Sequence, residues 1–280
     1  MWQNSYDEKN ALYLIPTPIG NLDDMTFRAV ETLKKVDVVF SEDTRVTLNL
    51  FNHFEIKKKL IPLHDHNEDS VKEKVLEYLK NGKNVGLVSD RGTPIISDPG
   101  YKTVRYVTEL GFKVVALPGA NAFVPALIVS SLAPKPFIFY GFLNNKSSVM
   151  KKELESLKDN EYTMIFYESP HRIFDTLNIM LEVFGDREFS LTREISKKYE
   201  SIYRGKIKEF LDTNNDIKGE LVIVVEGNHS LDDYNDLSLI DHVDIYIKNG
   251  LSVMDSIKKV ARERNLSKNE VYHAYHERLL

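Results

Sequence analysis

The sequence contains no cysteine and a single tryptophan. Without thiols there is no disulfide, no thiolate nucleophile and no Cys-based zinc site, and the composition suits a reducing compartment, so a cytoplasmic location is expected. No run is long and apolar enough for a transmembrane helix. The polar start, Met1 to Asn10, lacks the apolar core of a secretory signal. Excess positive charge is missing too: 37 Lys and Arg face 42 Asp and Glu, a formal net charge of -5. Non-specific nucleic-acid affinity comes mostly from phosphate neutralisation. The chain is therefore not a generic nucleic-acid binder, DNA is not an expected partner, and any nucleic-acid contact must use local basic patches. The usual nucleotide signatures are also absent. No Gly-x-Gly-x-x-Gly follows a strand and no P-loop lysine motif occurs, which argues against an ordinary Rossmann dinucleotide site.

What is present is a chain of 280 residues, 42% hydrophobic. That length suits two domains, or one large domain with an appendage. Its centre is Val85 to Gly100: a short apolar strand, then a long polar loop with Asp90, Arg91, Gly92, Thr93, Ser97 and Asp98, then a helix beginning near Tyr101. An N-cap would account for Asp98 and Pro99 but not for Asp90, Thr93 or Ser97. A ligand-binding loop accounts for all five, because ligands of open α/β sheets sit beyond the carboxyl ends of strands.

The same alternation runs through the first half. Strands are expected at Leu12–Ile15, Val36–Phe40, Val85–Val88 and Lys113–Leu117, with helices between them. The Thr26–Lys35 helix sets Phe27, Val30 and Leu33 on one face, and Ser70 to Glu73 reads as a capping box. This order predicts a parallel sheet with helices on both faces. Four strand exits carry the unusual residues: Pro16–Asn21, Ser41–Arg45, Ser89–Gly100 and Pro118–Ala122. In a parallel sheet they share one edge, and that convergence marks a site. A proline-broken hinge, Leu132 to Pro136, precedes a second, mixed α/β unit with strands at Phe137–Phe142, Thr163–Tyr167, Phe189–Thr192, Tyr199–Arg204 and Leu221–Val225. A surface helix is expected over Ser147–Lys158, and another opens at Ser169 as N-cap with Pro170 in its first position. An acidic linker to about Asp236 leads to a helical tail with a capping box at Ser267–Glu270. The expected domains are 11–120 and 121–228, both α/β, and a helical accessory segment over 237–280.

Several clusters admit two readings. His64 and His66, with Asp90 or Asp98, have the composition of a divalent-metal site, but adjacent residues of an extended segment point apart. A polar sheet rim is the preferred reading and no metal is expected. Glu42 and Asp43 are either functional carboxylates or a helix cap, and Arg45 is placed to answer them or a phosphate. His171 and Arg172 put potential cations in a first helical turn, where the dipole disfavours them, which means either an anionic partner such as phosphate or plain solvent exposure with the cost accepted. The tail from Gly250 has the outline of a helix-turn-helix. From Ile240 onward, however, Lys and Arg exceed Asp and Glu by only one, which is weak for DNA.

Leu14 to Leu22, Glu42-Asp43-Thr44-Arg45, the Ser89–Gly100 loop, Phe166 to Arg172, Lys218-Gly219-Glu220 and Val225-Glu226-Gly227 occur in an order and at spacings that resemble the ribosomal RNA small subunit methyltransferase I family. That family lies in the tetrapyrrole methylase superfamily. The resemblance covers roughly Ala11 to Gly227, and Ser267 to Tyr272 is similar to the family's tail. It implies two α/β domains with S-adenosylmethionine in the cleft between them, a homodimer, and methyl transfer to the ribose 2′-hydroxyl of a cytidine in the decoding region of small-subunit ribosomal RNA. The assembled subunit is the expected partner. By position it places the cofactor against Pro16, Gly20, Asp90, Gly92, Thr93, Ser97, Asp98, Gly119, Asn121, Ala122 and Tyr167. Arg45, Lys146, His171 and Arg172 fall on the RNA side, and Glu42, Asp43 and Glu168 are the candidate proton acceptors. The chain departs from the family pattern at Arg91, usually Ala, at Ala120-Asn121, and at Asn144-Asn145-Lys146, usually Pro-Arg-Lys. The competing readings are methylation of another acceptor, a metal-dependent phosphohydrolase, and a non-catalytic RNA-binding assembly factor.

Overall fold

A computed structural model describes residues 2–5, 10–228, 237–248 and 250–276. Most of the expected acidic linker (229–236) and part of the polar N-terminus lie outside the described residues. The chain divides into two compact units. One holds the residues up to Leu157 with Tyr162–Glu226, and the other holds Lys158–Glu161 with Gly227 onward.

The first unit contains two five-stranded sheets. Strands β1 (Ala11–Leu14), β2 (Val38–Ser41), β3 (Lys59–Pro62), β4 (Val85–Val88) and β5 (Lys113–Ala116) form a wholly parallel sheet in the order β3-β2-β4-β1-β5. Central strands β2 and β4 are buried throughout. They read as continuous apolar runs, because helices cover both faces. On one face Ile15, Val39 and Val88 pack with Leu33 of α1 (Phe27–Lys35) and Phe51 of α2 (Thr44–His53). On the other, Leu12, Phe40 and Leu87 pack with Val75 and Leu79 of α3 (Glu68–Lys80) and Val107 of α4 (Tyr101–Glu109).

The second sheet is mixed. Helix α5 (Phe123–Val129) leads to β6 (Phe137–Phe142), α6 (Ser147–Glu155), β7 (Thr163–Glu168), α7 (Ile173–Phe184), β8 (Glu188–Arg193), β9 (Ser201–Lys206), α8 (Ile207–Thr213) and β10 (Leu221–Val225). Strand order is β6-β7-β10-β8-β9, with only β6 and β7 parallel. Residues alternate between two faces, as a strand requires. Phe166, Leu191 and Ile223 join α6, α7 and α8 in the larger core. Ile165, Val222 and Val224 point the other way, onto Ala126 and Leu127 of α5.

In the second unit α9 (Leu239–Lys248), α10 (Val253–Glu263) and α11 (Lys268–His276) share a small core around Val243, Ile257, Val260 and Val271. Its capping box is formed: Glu270 N–H donates to Ser267 Oγ (3.2 Å), and Ser267 N–H donates back to the Glu270 carboxylate (2.7 Å).

Four local expectations are corrected. The Ser70 capping box does not form: α3 begins a turn earlier, at Glu68, and Ser70 Oγ donates to the Asn67 carbonyl (2.9 Å). The Asn67 carbonyl already accepts the Ser70 and Val71 N–H groups (3.0 Å each), so the first turn closes ahead of Ser70, and the buried Glu68 carboxylate accepts the Thr103 N–H inside the first turn of α4 (2.9 Å). Ser169 and Pro170 do not open α7. The Glu168 carboxylate takes the Ser169 N–H (2.7 Å), Arg172 N–H closes a turn on the Ser169 carbonyl (3.2 Å), and the helix starts only at Ile173. Phe27 is not part of the inward face of α1. It is 93% exposed, while Ala29 and Leu33 fill the core. The Ser147 helix ends at Glu155, short of Lys158.

Candidate active site

The four strand exits meet. Thr17 and Gly92 exchange backbone hydrogen bonds (2.9 and 3.0 Å), which joins the β1 and β4 exits. Thr93 Oγ1 donates to the Ala120 carbonyl (3.0 Å) and brings in the β5 exit. Asp43 N–H donates to the Asp90 carboxylate (2.9 Å) and brings in the β2 exit. Glycine is needed where backbones touch. A Cβ on Gly119 would lie 2.5 Å from Pro16 Cβ, and Gly92 adopts φ +81 with the Ala120 carbonyl close by. Asp98 and Pro99 are not a helix cap, because the N-cap of α4 is Gly100 and no side chain caps it.

Beyond this edge lies a cavity of about 230 Å³. One wall is the β4 and β5 loops, with Gly92, Thr93, Ser97, Asp98, Asn121 and Ala122. The other belongs to the second sheet, with Tyr167, Thr192, Ile195, Leu221 and Val222, and Ile96, Phe123 and Phe142 add apolar surface. Arg91 and Glu220 pair at its border, and Lys197 Nζ joins the Glu220 and Glu194 carboxylates at 2.9 and 3.0 Å.

The charge is one-sided. Burial, reinforced by Glu42, Asp90 and Asp65, pushes the Asp98 carboxyl up to about 7. Burial, then Asp90, also raises Glu42. Both shifts reflect negative charge gathered in a partly dry place, where a cation would be favoured. Asp43 is the opposite case. Its hydrogen bonds to Arg45 (Nε 3.0 Å, NH2 2.5 Å) hold it down at about 2, and its side chain caps α2. Burial raises the Tyr167 hydroxyl to about 12. Among the described residues no group of three or more His, Asp or Glu is placed to hold a metal ion, and the His64 and His66 rings are 6.0 Å apart.

Of the residues expected at a cofactor site, Gly92, Thr93, Ser97, Asp98, Asn121, Ala122 and Tyr167 line the cavity. Pro16, Gly20, Asp90 and Gly119 stand behind the wall, where they join loops: Pro16 packs on Gly119, Gly20 on the Lys197 side chain, and Asp90 on the start of α2. Glu168 also borders the cavity, but its carboxylate is committed. It accepts from Ser169 N–H, from Thr176 Oγ1 (2.6 Å) and from Arg172 NH2 (3.1 Å). Arg172 is therefore a clamp, tying β7 to the carbonyls of Leu143 and Asn144 and to the Asn145 side chain. Lys146 and His171 are exposed, and Arg45, though paired with Asp43, keeps 88% of its side chain in solvent. Sequence reasoning missed Thr192, Ile195, Leu221 and Val222 as wall residues. Thr192, Leu221 and Val222 look like ordinary strand residues and Ile195 like an ordinary turn residue after β8, and only the pairing of β8 with β10 sets Thr192 beside Val222.

A parallel sheet whose loops face a second, mixed sheet across a cavity defines a class. A family model described as Tetrapyrrole (Corrin/Porphyrin) Methylases matches residues 11–211. Solved structures agree on the fold alone. A Thermus thermophilus uroporphyrin-III-C-methyltransferase has a TM-score of 0.55 at 16% identity, over 77% of this chain and 94% of that one. A diphthine synthase has 0.59 at 12% identity, over 78% and 90%. The particular family follows from nearer relatives. The chain is 50% identical to "Ribosomal RNA small subunit methyltransferase I" of Bacillus subtilis, over 98% of this chain and 96% of that one. It is 43% identical to the protein of that name from Halalkalibacterium halodurans, over 98% and 99%. The chain belongs to this family of tetrapyrrole-methylase-fold methyltransferases.

S-adenosylmethionine is the methyl donor of such enzymes, and the cavity fits it chemically. Its apolar surfaces suit a flat base, and its Asp98 carboxylate suits a sulfonium or an ammonium. Thr192 Oγ1, in a residue only 1% exposed, meets no hydrogen-bond partner among the described residues.

Proposed function

We propose that this protein transfers a methyl group from S-adenosylmethionine to small-subunit ribosomal RNA, at the 2′-hydroxyl of a cytidine ribose in the decoding region. The observation that carries the reading is the 50% identity to a ribosomal RNA methyltransferase over nearly the whole chain, and the cavity's chemistry supports it. When bound, the cofactor supplies an activated methyl group. The chain's own residues then have three tasks.

Gly92, Thr93, Ser97, Asn121, Ala122 and Tyr167 hold the cofactor, and the Asp98 carboxylate answers its positive charge. Leu221 and Val222, buried on the strand wall, and Phe123 give the site an apolar side that strengthens that attraction. The Glu42 carboxylate takes the proton from the acceptor hydroxyl and becomes the neutral acid. Glu42 is preferred to the other two candidates because Asp43 is held at about 2 by Arg45 and Glu168 has three donors on it. Orientation supplies roughly 7–11 kcal/mol in well-aligned systems, against about 3–5 for a general base, so positioning dominates. Arg45, Lys146 and His171 provide exposed cationic or hydrogen-bonding groups for the RNA, while Arg172 orders the loop beside them.

In this reading residues 11–120 and 121–228 act as the two α/β domains. The packing of α5 on β10 supports a boundary ahead of α5. Residues 237–280 are read as an accessory segment, helical over α9, α10 and α11. A homodimer is part of the reading, supported by apolar side chains left exposed on α5, Ile128 at 69% and Val124 at 40%. With only -5 of net charge, recognition rests on the folded ribosomal particle more than on bulk RNA electrostatics.

The test is methyl transfer to unmodified small subunits with methyl-labelled cofactor, followed by nucleotide mapping. Label on a cytidine 2′-oxygen supports the reading. Label on a base, on protein, or on naked RNA as readily as on subunits contradicts it.

A further inference from the structure

We propose that Phe142 is a substrate-binding residue, its exposed ring being the platform on which the base of the methyl-accepting nucleotide stacks. The inference rests on the RNA reading above and adds how the acceptor is held. Strict alternation along β6 would bury this ring. Phe139 packs on the α5 side of the mixed sheet, so residue 142, three positions on, would face the larger core with Tyr140. Instead the register with β7 slips by one residue between Phe139 and Gly141, and Phe142 pairs with Tyr167 on the cavity side. Gly141 carries the slip with φ +84, a conformation that L side chains rarely adopt. Bulges of this kind are over-represented next to active sites, where they re-aim a side chain. The result is an aromatic ring that lines the cavity yet is 57% exposed, while Phe123 and Tyr167, also in the lining, are part-buried. Tyr167 braces it edge-on, with ring centroids 5.4 Å apart and planes at 61°. Arg172 NH2 donates to the Leu143 carbonyl (3.2 Å), which fixes the chain just after the ring.

A ribose whose 2′-hydroxyl reaches the cofactor carries its base on the adjacent carbon. That base must leave the RNA stack and come to rest at the opening of the cavity. Unstacked bases of RNA are held on aromatic side chains, and a braced ring that is both lining and exposed supplies that surface. Lys146, four residues on, and His171, beside the Arg172 clamp, are exposed and suit the flanking phosphates. The experiment is initial-rate transfer from methyl-labelled S-adenosylmethionine to unmodified small subunits, at saturating cofactor and with subunits below half-saturation. Wild type, Phe142→Leu and Phe142→Tyr are compared, each with a calorimetric cofactor titration, a thermal melt and sedimentation. Leucine keeps the apolar bulk and removes the aromatic face. Phe142→Leu is expected to lower transfer by about tenfold, the loss of one base–aromatic stack, with cofactor affinity, melting and oligomeric state unchanged. Phe142→Tyr should retain transfer. Equal transfer by Phe142→Leu and wild type overturns the proposal, as does failure of Phe142→Tyr to retain it. A loss shared with cofactor affinity, thermal stability or oligomeric state assigns the ring to the cofactor wall, the core or a contact between copies, and each overturns the proposal. No transfer to subunits by wild type overturns the RNA reading itself, a different result from any of these.

Discussion

The two sheets meet the cavity with opposite chemistry. The parallel sheet contributes loops, where glycine, proline and carboxylates lie at strand exits and are joined by backbone and side-chain hydrogen bonds. The mixed sheet contributes a strand face, where Thr192, Leu221 and Val222 form a mostly apolar wall that Ile195 extends from the turn after β8. One wall is adapted to charge and close backbone approach, the other to shape. A ligand that joins a cation to an aromatic base uses both, and this division explains why one cavity needs two unlike sheets.

The comparison can be broken from the loop side first. Glu42→Gln should lower single-turnover methylation by about 10²–10⁴-fold, the range of a lost general base, with little change in cofactor affinity. Unchanged turnover would remove Glu42 from the chemistry. Next comes the hinge between loop and strand. Arg172→Ala leaves the Glu168 carboxylate, whose side chain is 1% exposed, without its cation. Removing one partner of a buried pair costs about 3–5 kcal/mol. About 2–3 kcal/mol is expected here, because the guanidinium is part-exposed and two other donors remain, and denaturant unfolding would measure it. Gly119→Ala forces a methyl against Pro16 and should cost about 1–3 kcal/mol of stability. A variant as stable as wild type would show that the β1 and β5 exits are not tightly joined.

The smallest effect is a pH dependence that only the charged wall should show. The folded Asp98 carboxyl titrates near 7 against an ordinary value of 3.8, so between those values the native state holds a proton that the unfolded state has lost. Stability from this group is therefore undiminished below pH 4 and falls as the pH rises through 7. Asp98→Asn should flatten that fall in melts taken from pH 4 to 8. Thr192→Val should leave it unchanged.

The two walls also differed in how much the sequence disclosed. The exits after Leu14, Ser41, Val88 and Ala116 were legible because loop residues such as Pro16, Asp90 and Gly119 have no packing role in an ordinary turn, and parallel strands put such exits on one edge. The strand face was not legible. Thr192 and Val222 lie 30 positions apart in the chain, and only antiparallel pairing makes them neighbours. Local capping was misread at Ser70 and Ser169 for a related reason. At both places a backbone turn not marked by a capping residue closes first, on the Asn67 carbonyl and on the Ser169 carbonyl, while the acids Glu68 and Glu168 are taken up by the Thr103 N–H and the Arg172 side chain. The tail's capping box at Ser267 was legible because both of its partners are local.

The central claim is that this cavity holds S-adenosylmethionine with its positive charge against Asp98. Calorimetric titration of wild type and Asp98→Asn at pH 8 tests it most directly. Saturable binding by wild type and at least tenfold weaker binding by the variant, with no loss of thermal stability, is the predicted result. Equal affinities, or no binding by wild type, would contradict it.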